Sequence, residues 1–261
     1  MNKYLIHFMT FKKFYYLFTI LVNRDIKKKY KGSVLGILWS LINPLLNMIV
    51  LTIVFSTIFK NSIDNFPVYL LSGRLLYSFF EGATSASLKS IINSSSLLKK
   101  VYVPKYLMTL SGVTSNFITF LISLIALMFV MIATGAEVNF YILYAPVFLL
   151  LLFVFVCGLS LVLSTITIFF RDLVYIYQVI THILVYTSAI FYPSSIIPEK
   201  FQFILLINPV FHYISGFRQA VYLGAPPDLM NLLICFLLAI ISLFIGVLVF
   251  EKNQDKFILY I

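Results

Sequence analysis

The chain of 261 residues is 61% apolar and only 11% charged, with a mean hydropathy of +1.02, where a soluble domain carries roughly 25% charged residues. That balance excludes a water-soluble globule and leaves little chain for a separate domain outside a membrane. The formal net charge of +10 does not point to nucleic acid, because the basic residues cluster in short segments between long apolar runs, on one side of a membrane.

In chain order, residues 1–31 read as a cytoplasmic amphipathic interface segment. Phe11, Phe14, Tyr15, Phe18, Leu21 and Val22 recur at helical spacing, the pattern of a helix lying in the membrane interface rather than crossing it. A cleavable leader is not expected, since the basic run from Arg24 follows where a small-residue cleavage site would stand. Residues 32–261 read as one transmembrane domain. A spanning helix needs about 20 largely apolar residues, because its backbone polar groups must be satisfied within the segment. Six stretches fit, at about 34–59, 67–89, 107–134, 141–169, 173–192 and 229–250, the second interrupted by Arg74 and Glu81. Residues 1–31, 89–105, 171–172 and 251–261 hold 15 of the 19 basic residues and 4 of the 9 acidic ones. Lys and Arg collect on the cytoplasmic side, so both termini are expected there.

Several chemistries have no support. None of the ten glycines is followed by Lys, so there is no P-loop and no expectation that this chain hydrolyses ATP by that route. His7, His182 and His212 form no paired motif, the carboxylates are scattered, and Cys157 and Cys235 lie within spans as packing residues; no metal site, bound cofactor or disulfide is expected. His182, inside the fifth expected span, reads either as a neutral histidine bonded to a neighbouring helix or as part of a proton relay.

Four regions depart from generic span or loop. In the first, Arg24, Lys27, Lys28 and Lys29 lead through Tyr30, Gly32, Leu35 and Gly36 into the first span, with Asn43-Pro44 a turn further on. This is an anchor for anionic lipid, or a receiver for a phosphate-bearing lipid head that Gly32 and Gly36 let approach the backbone. In the second, residues 93–105 contain a Ser cap and a Pro stop around a short helix. This is a plain connector, or a docking element exposing Leu98, Val101 and Tyr102 to a partner's groove. In the third, Arg74, Ser78, Gly82 and Ala86 recur every fourth residue with Glu81 and Ser85 beside them. Arg74 and Glu81 lie about 10 Å apart along a helix, too far to pair, so they face a pathway or partners on other helices. In the fourth, 192–228, the uncharged run 201–217 is broken by Asn208-Pro209 and Gly216, which suits helices that re-enter or lie on the outer leaflet. The 27 Phe and 17 Tyr serve as core and interfacial belt, with an aromatic-lined sugar passage as the other use.

Together these regions resemble the membrane permease of type-2 ATP-binding-cassette exporters, in the polysaccharide and polyol-phosphate branch that exports O-antigen, capsule or teichoic acid. The resemblance runs over nearly the whole chain and is carried by 24–39 with Asn43-Pro44, by 97–104, by 170–173 and by 197–219. The family usually has Arg where this chain has Lys29 and Lys105, which keeps the charge but loses the bidentate fork. The resemblance implies an all-α membrane protein of six spans with an N-terminal interface helix, a cytoplasmic coupling helix and outer re-entrant helices. It further implies a homodimer in a bacterial inner membrane, docked on a separate cytoplasmic ATPase that holds ATP and Mg in a 2+2 complex. Leu98, Lys99, Lys100, Val101, Tyr102 and Pro104 would then be the coupling residues. The Leu35-Gly36 turn, with Arg24, Lys27, Lys28 and Tyr30, would receive the diphosphate of a polyprenyl-linked glycan. Arg74, Glu81 and Gly82 would line the channel or a helix interface, and Asn208, Pro209 and Arg218 would belong to the outer gate. The rival readings are a drug or small-lipid permease of the same superfamily and a stand-alone membrane enzyme acting on polyprenyl-linked sugars.

Overall fold

The computed structural model describes residues 3–56 and 63–260, the side chains of 3–13 and of Ser56 excepted. Among them there is no strand: twelve helices follow one another, joined by turns and short 3-10 segments. Helix α1 (Lys3–Tyr30) is one unbroken rod ending in Lys27, Lys28 and Lys29, which suits the negative C-terminal end of a helix. Its inner face carries Leu21 and Val22, both buried, with Phe14, Leu17 and Phe18 packed beside them. Tyr15, expected on that stripe, is exposed, and the Phe11 side chain lies outside the described residues.

A 3-10 turn (Gly36–Leu38) leads into α2 (Trp39–Ser56); residues 57–59 of the first expected span lie outside the described residues. Helix α3 (Phe66–Leu88) starts with Asn65 in the left-handed region and Pro67 in its first turn, and it is the centre of the bundle. Two single-turn helices, α4 (Ser90–Asn93) and α5 (Ser95–Leu98), connect it to α6 (Tyr106–Ala133). Helix α6 stops in a glycine-capped turn: Gly135 has φ +66°, its N–H donates to Ile132 O, and Ala136 N–H reaches back to Met131 O at 2.9 Å, satisfying carbonyls that the helix leaves open. Helix α7 (Ala145–Phe169) carries Pro146 in its first turn and leads to α8 (Leu173–Tyr186), which is followed by two shorter helices, α9 (Gln202–Ile207) and α10 (Pro209–Val221). Helix α11 (Leu229–Asn253) is capped by the Asp228 carboxylate, which accepts from Met230 N and Asn231 N, and α12 (Phe257–Tyr260) ends the described chain.

Among the described residues, four stretches are long and apolar enough to cross a membrane: Gly36–Phe55, Tyr106–Ala133, Phe140–Phe169 and Leu229–Tyr260. The second expected span coincides with α3, whose 23 residues reach about 34 Å at 1.5 Å each but carry Arg74, Glu81 and many small polar residues. The fifth, expected at 173–192, is corrected: α8 ends at Tyr186 after 14 residues. The cause lies in distant side chains that take the carbonyls of its last turn and of the chain beyond. Asn208 Nδ2 donates to Ser188 Oγ at 2.8 Å, and also lies 3.4 Å from Leu184 O, while Arg218 donates to Ala189 O at 2.7 Å and Ile190 O at 3.1 Å. Ala189, at φ +49°, turns the chain away. His182 is exposed, and its Nδ1 lies 2.7 Å from Gln178 O of its own helix rather than from a neighbour.

The largest apolar cluster joins α3, α6, α7, α10 and α11. A second one, at the basic end of the bundle, gathers Leu21 of α1, Leu98, Leu107 and Phe257. The tightest crossing is that of α7 on α11, where a Cβ on Gly246 would sit 2.3 Å from Gly158 O. Small residues at that crossing bring two backbones together so that dispersion contacts accumulate, the form of packing that works without a hydrophobic driving force.

Candidate functional site

Two adjoining polar cavities run along one side of the bundle, and each is built from regularly spaced residues. On α1, Asp25 and Lys29 share the helix face that carries Val22. Arg24 Nη2 pairs with Asp25 Oδ1 at 2.8 Å, and Ser111 Oγ of α6 donates to Asp25 Oδ2 at 3.3 Å. One turn on, Lys29 Nζ donates to Asn116 Oδ1 at 3.4 Å. The Asn116 amide is held by its own Nδ2 donating to Gly112 O at 2.9 Å. Since a carbonyl only accepts, that bond leaves Oδ1 as the atom facing Lys29. Partial burial pushes the Lys29 ammonium below the usual lysine range, because desolvation disfavours the charged form.

The lower cavity, about 670 Å³, lies at the basic end between α1, α3 and α6 and is lined by Arg24, Asp25, Lys28, Gly82 and Ser90 among others. The upper one, about 290 Å³, lies between α2, α3 and α6 and is lined by Ser40, Asn43 and Asn47 from α2, by Arg74 and Ser78 from α3, and by Thr119 and Ser123 from α6. Lys29 and Asn116 line both, so this hydrogen-bonded pair stands where the two cavities adjoin. The upper cavity has Lys29 and Arg74 in its wall and no carboxylate. Many of its other polar groups are occupied by their own helices: Ser40 donates to Ile37 O, Thr119 to Ser115 O, Ser123 to Phe120 O, and Asn47 Nδ2 to Asn43. They offer lone pairs to the cavity, and the side chains with donors left for a ligand are Arg74, Lys29, Ser78, Tyr30, Trp39 and Asn43.

The residues expected to receive a lipid diphosphate are spread over this region. Arg24 is neutralised by Asp25, Lys28 lines the lower cavity, and Tyr30 lines the upper one. Lys27 sits on an outer groove of α1 with Asn23, Lys28 and Lys31. Leu35 is exposed, and Gly36, whose N–H donates to Ser33 Oγ at 3.1 Å, turns the chain at the surface into α2. On α3 the expected stripe keeps to one broad face, since Arg74 and Glu81 stand seven residues apart. Arg74, Ser78, Gly82 and Ala86 look towards the cavities, and Gly82 packs on Asn116, 3.5 Å from where its Cβ would be. Glu81 lies at the edge of that face nearest α8, beside Tyr77, whose hydroxyl donates to Thr181 O.

The expected coupling segment is corrected in one respect. Leu98 is not exposed for docking; at 8% exposure it is sunk with Val103 into the cluster at the basic end. These two anchors hold the turn between them outward, with Lys99 and Lys100 exposed, Val101 54% exposed and Tyr102 89% exposed. Pro104 follows and accepts Leu107 N–H on its carbonyl at 3.1 Å. At the far end Asn208 caps α10 by accepting Val210 N–H at 3.0 Å, and Pro209 takes the first helical position, where its missing N–H costs nothing. Arg218 is 7% exposed and faces no open space. It donates to Tyr69 O as well as to Ala189 O and Ile190 O, its guanidinium carbon lies 3.6 Å from the centre of the Tyr69 ring, and a Cβ on Gly73 would stand 2.5 Å from its Nη2. It ties α3, the turn after α8 and α10 into one unit.

Sequence reasoning overlooked Asn116, Asn47 and Ser123 as cavity residues. Their signal was present: Ser40, Asn43 and Asn47 on α2, and Gly112, Asn116, Thr119 and Ser123 on α6, recur at three- and four-residue intervals inside otherwise apolar spans. Comparison with known proteins gives this architecture a family. Residues 16–222 match the family described as ABC-2 type transporter. The O-antigen export system permease protein RfbA of Klebsiella pneumoniae is 29% identical over 246 residues, 93% of this chain and 95% of its own length. The Myxococcus xanthus protein of the same name is 27% identical over 91% of this chain and 92% of its own. The polysialic acid transport protein KpsM of Escherichia coli is 22% identical over 89% and 91%. A match that takes in α2 to α10, together with relatives aligned almost end to end, places this chain in the ABC-2 type transporter membrane family, in the branch of the polysaccharide export permeases.

Proposed function

We propose that this chain is the permease of an ATP-driven exporter that moves a lipid-linked polysaccharide, of the O-antigen, capsule or teichoic-acid type, out of the cell. The carrying observation is the polar face of α3. Arg74, Ser78, Glu81, Gly82 and Ser85 are at least partly exposed on a helix that is otherwise the most enclosed of the bundle. Charges at bilayer depth require an interior, a partner or water, so this face belongs against a second copy of the chain and the passage between them. In this reading α3 and α8 cross the membrane with the four apolar stretches, giving six spans, both termini in the cytoplasm and a homodimer in the bacterial inner membrane. Separate cytoplasmic ATPase chains bind ATP and Mg and push on the turn from Lys99 to Tyr102. The two anchors Leu98 and Val103 pass that push to α1, α6 and α7, which meet in the same apolar cluster. Arg24, Lys27, Lys28 and Tyr30 receive the lipid diphosphate beside the Leu35-Gly36 turn, and the outer helices around Asn208-Pro209 close the far end.

Purification of the tagged permease from native membranes in mild detergent, with quantitative mass spectrometry, tests the assembly. One P-loop ATPase chain per permease is expected in the wild type. Tyr102→Asp with Val101→Pro should lose it while the permease stays monodisperse. Absence of any such ATPase, under conditions that keep the permease dimeric, would overturn the proposal.

A further inference from the structure

The upper cavity holds two cations and nothing that answers them. No hydrogen bond or ion pair links Arg74 to any described residue, and its nearest aromatic contact, the Tyr77 ring, is 6.0 Å from the guanidinium carbon, the outer limit for a cation–π interaction. Lys29, in the wall of the same cavity, has the neutral Asn116 amide as its partner. In the lower cavity the one carboxylate, Asp25, is already taken by Arg24. A guanidinium at bilayer depth is costly unless something charged or wet meets it, and the wall supplies two positive groups with acceptor oxygens around them. What fits is an anion with several oxygens, and a forked guanidinium with a compact ammonium is the pair that suits phosphate. A volume of about 290 Å³ leaves room for a diphosphate with water around it.

We infer that the cavity between α2, α3 and α6 is a binding site for a phosphate or diphosphate group, held by Arg74 and Lys29. Free phosphate and the phosphate of a lipid head share this chemistry; as an account of the exported lipid's path, the inference rests on the exporter reading. It then describes a second holding point, deeper in the bundle than the basic turn at the membrane surface.

Trp39 lines the same cavity and is the one tryptophan of the chain, so binding has a built-in reporter. Full-length permease in nanodiscs, titrated with farnesyl diphosphate, inorganic pyrophosphate and farnesol, should show saturable change of Trp39 fluorescence with farnesyl diphosphate. A similar response to pyrophosphate would assign a site for the free anion; a response to farnesyl diphosphate alone would assign a site for a lipid head. Arg74→Gln should weaken binding at least tenfold, the loss expected for one charged hydrogen bond, and Lys29→Gln should do the same. Arg74→Lys should lie between, and Lys252→Gln, at the end of α11, should leave binding unchanged. Size exclusion and thermal unfolding of each variant show that it is folded. No saturable response, an equal response to farnesol, or wild-type affinity in folded Arg74→Gln and Lys29→Gln would each overturn the inference. Such a result would leave the exporter reading standing, because that reading is judged by the bound ATPase.

Discussion

Helices α3 and α11 bury their surfaces in opposite ways. Sixteen of the 23 residues of α3 are buried, and what it leaves open beyond Pro67 at its start is Arg74, Ser78, Glu81, Gly82, Ser85 and Ala86. Five of the 25 residues of α11 are buried, and what it leaves open is Leu233, Phe236, Leu237, Ile240, Ile241, Phe244 and Leu248. In water the second pattern would mark a binding surface or an aggregation hazard. In a bilayer it is the ordinary face towards lipid, and the first pattern is the one that needs a partner. The inner face of α11 is correspondingly plain: Cys235, Ala239, Ser242 and Gly246 give it a smooth surface that α7 can approach closely, and Ser242 Oγ donates to Phe155 O at 2.9 Å across the gap. One helix is held by shape and the other is enclosed by neighbours and reserved for polar work.

The largest effect is expected from roughening the shape-fitted side. Gly246→Leu and Gly158→Leu each place a Cβ within 2.3 Å of the opposing backbone, and backbone cannot swing aside as a side chain can. Both should abolish accumulation of monodisperse permease in membranes, whereas Leu237→Ala, on the lipid face of the same helix, should leave yield and Tm close to wild type. A well-folded Gly246→Leu protein would show that α11 is held by something other than close backbone approach.

A smaller effect is expected at the far end, where Arg218 makes a polar tie inside the apolar bundle. Arg218→Met removes the donors to Tyr69 O, Ala189 O and Ile190 O; Ala189 O keeps the Tyr69 hydroxyl and Tyr69 O keeps Ser72 Oγ, while Ile190 O loses its side-chain donor and the cation–π contact with the Tyr69 ring goes too. The expected loss is on the order of 3 kcal/mol, read as a lowered Tm in detergent. Arg218→Lys should recover part of it, since one ammonium cannot span three carbonyls as a planar fork does. Unchanged stability in Arg218→Met would mean that α10 and the turn after α8 are secured by apolar contact alone.

How far these features could be read from the sequence depends on what carries them. Helices α2, α6, α7 and α11 follow from uncharged runs, and the special character of α3 follows from Arg74 and Glu81 at four-residue intervals with Ser78, Gly82 and Ser85. The early end of α8 could not be foreseen, because Thr187-Ser188-Ala189 holds no helix breaker; its causes are Asn208 and Arg218, some 20 to 30 residues further on. The upper cavity was half legible. Lys29 looks like any member of a basic run until helix phase sets it with Val22 and Asp25, and the amide and hydroxyl stripes of α2 and α6 are easily overlooked where hydropathy alone defines a span. Leu98 was misplaced for a related reason: a single helical turn has no period long enough to tell its inner side from its outer one.

The finest test of the comparison perturbs almost nothing. In a background with Cys157→Ala and Cys235→Ala, both native thiols being free and buried, single cysteines replace Ser78 and Ser85 on α3, or Leu237 and Phe244 on α11. All four positions are exposed in the isolated chain, so each substitution should cost about 0.5 kcal/mol or less. If α3 faces a wet passage or a second copy, Ser78→Cys and Ser85→Cys should react with a charged, membrane-impermeant maleimide or cross-link to their own counterpart under mild oxidation. Leu237→Cys and Phe244→Cys, in hydrocarbon, should do neither, because a maleimide reacts with the thiolate and an apolar surrounding keeps the thiol protonated. Equal protection of all four would place the α3 stripe against lipid, and the division between a face fitted by shape and a face kept for polar contact would fall.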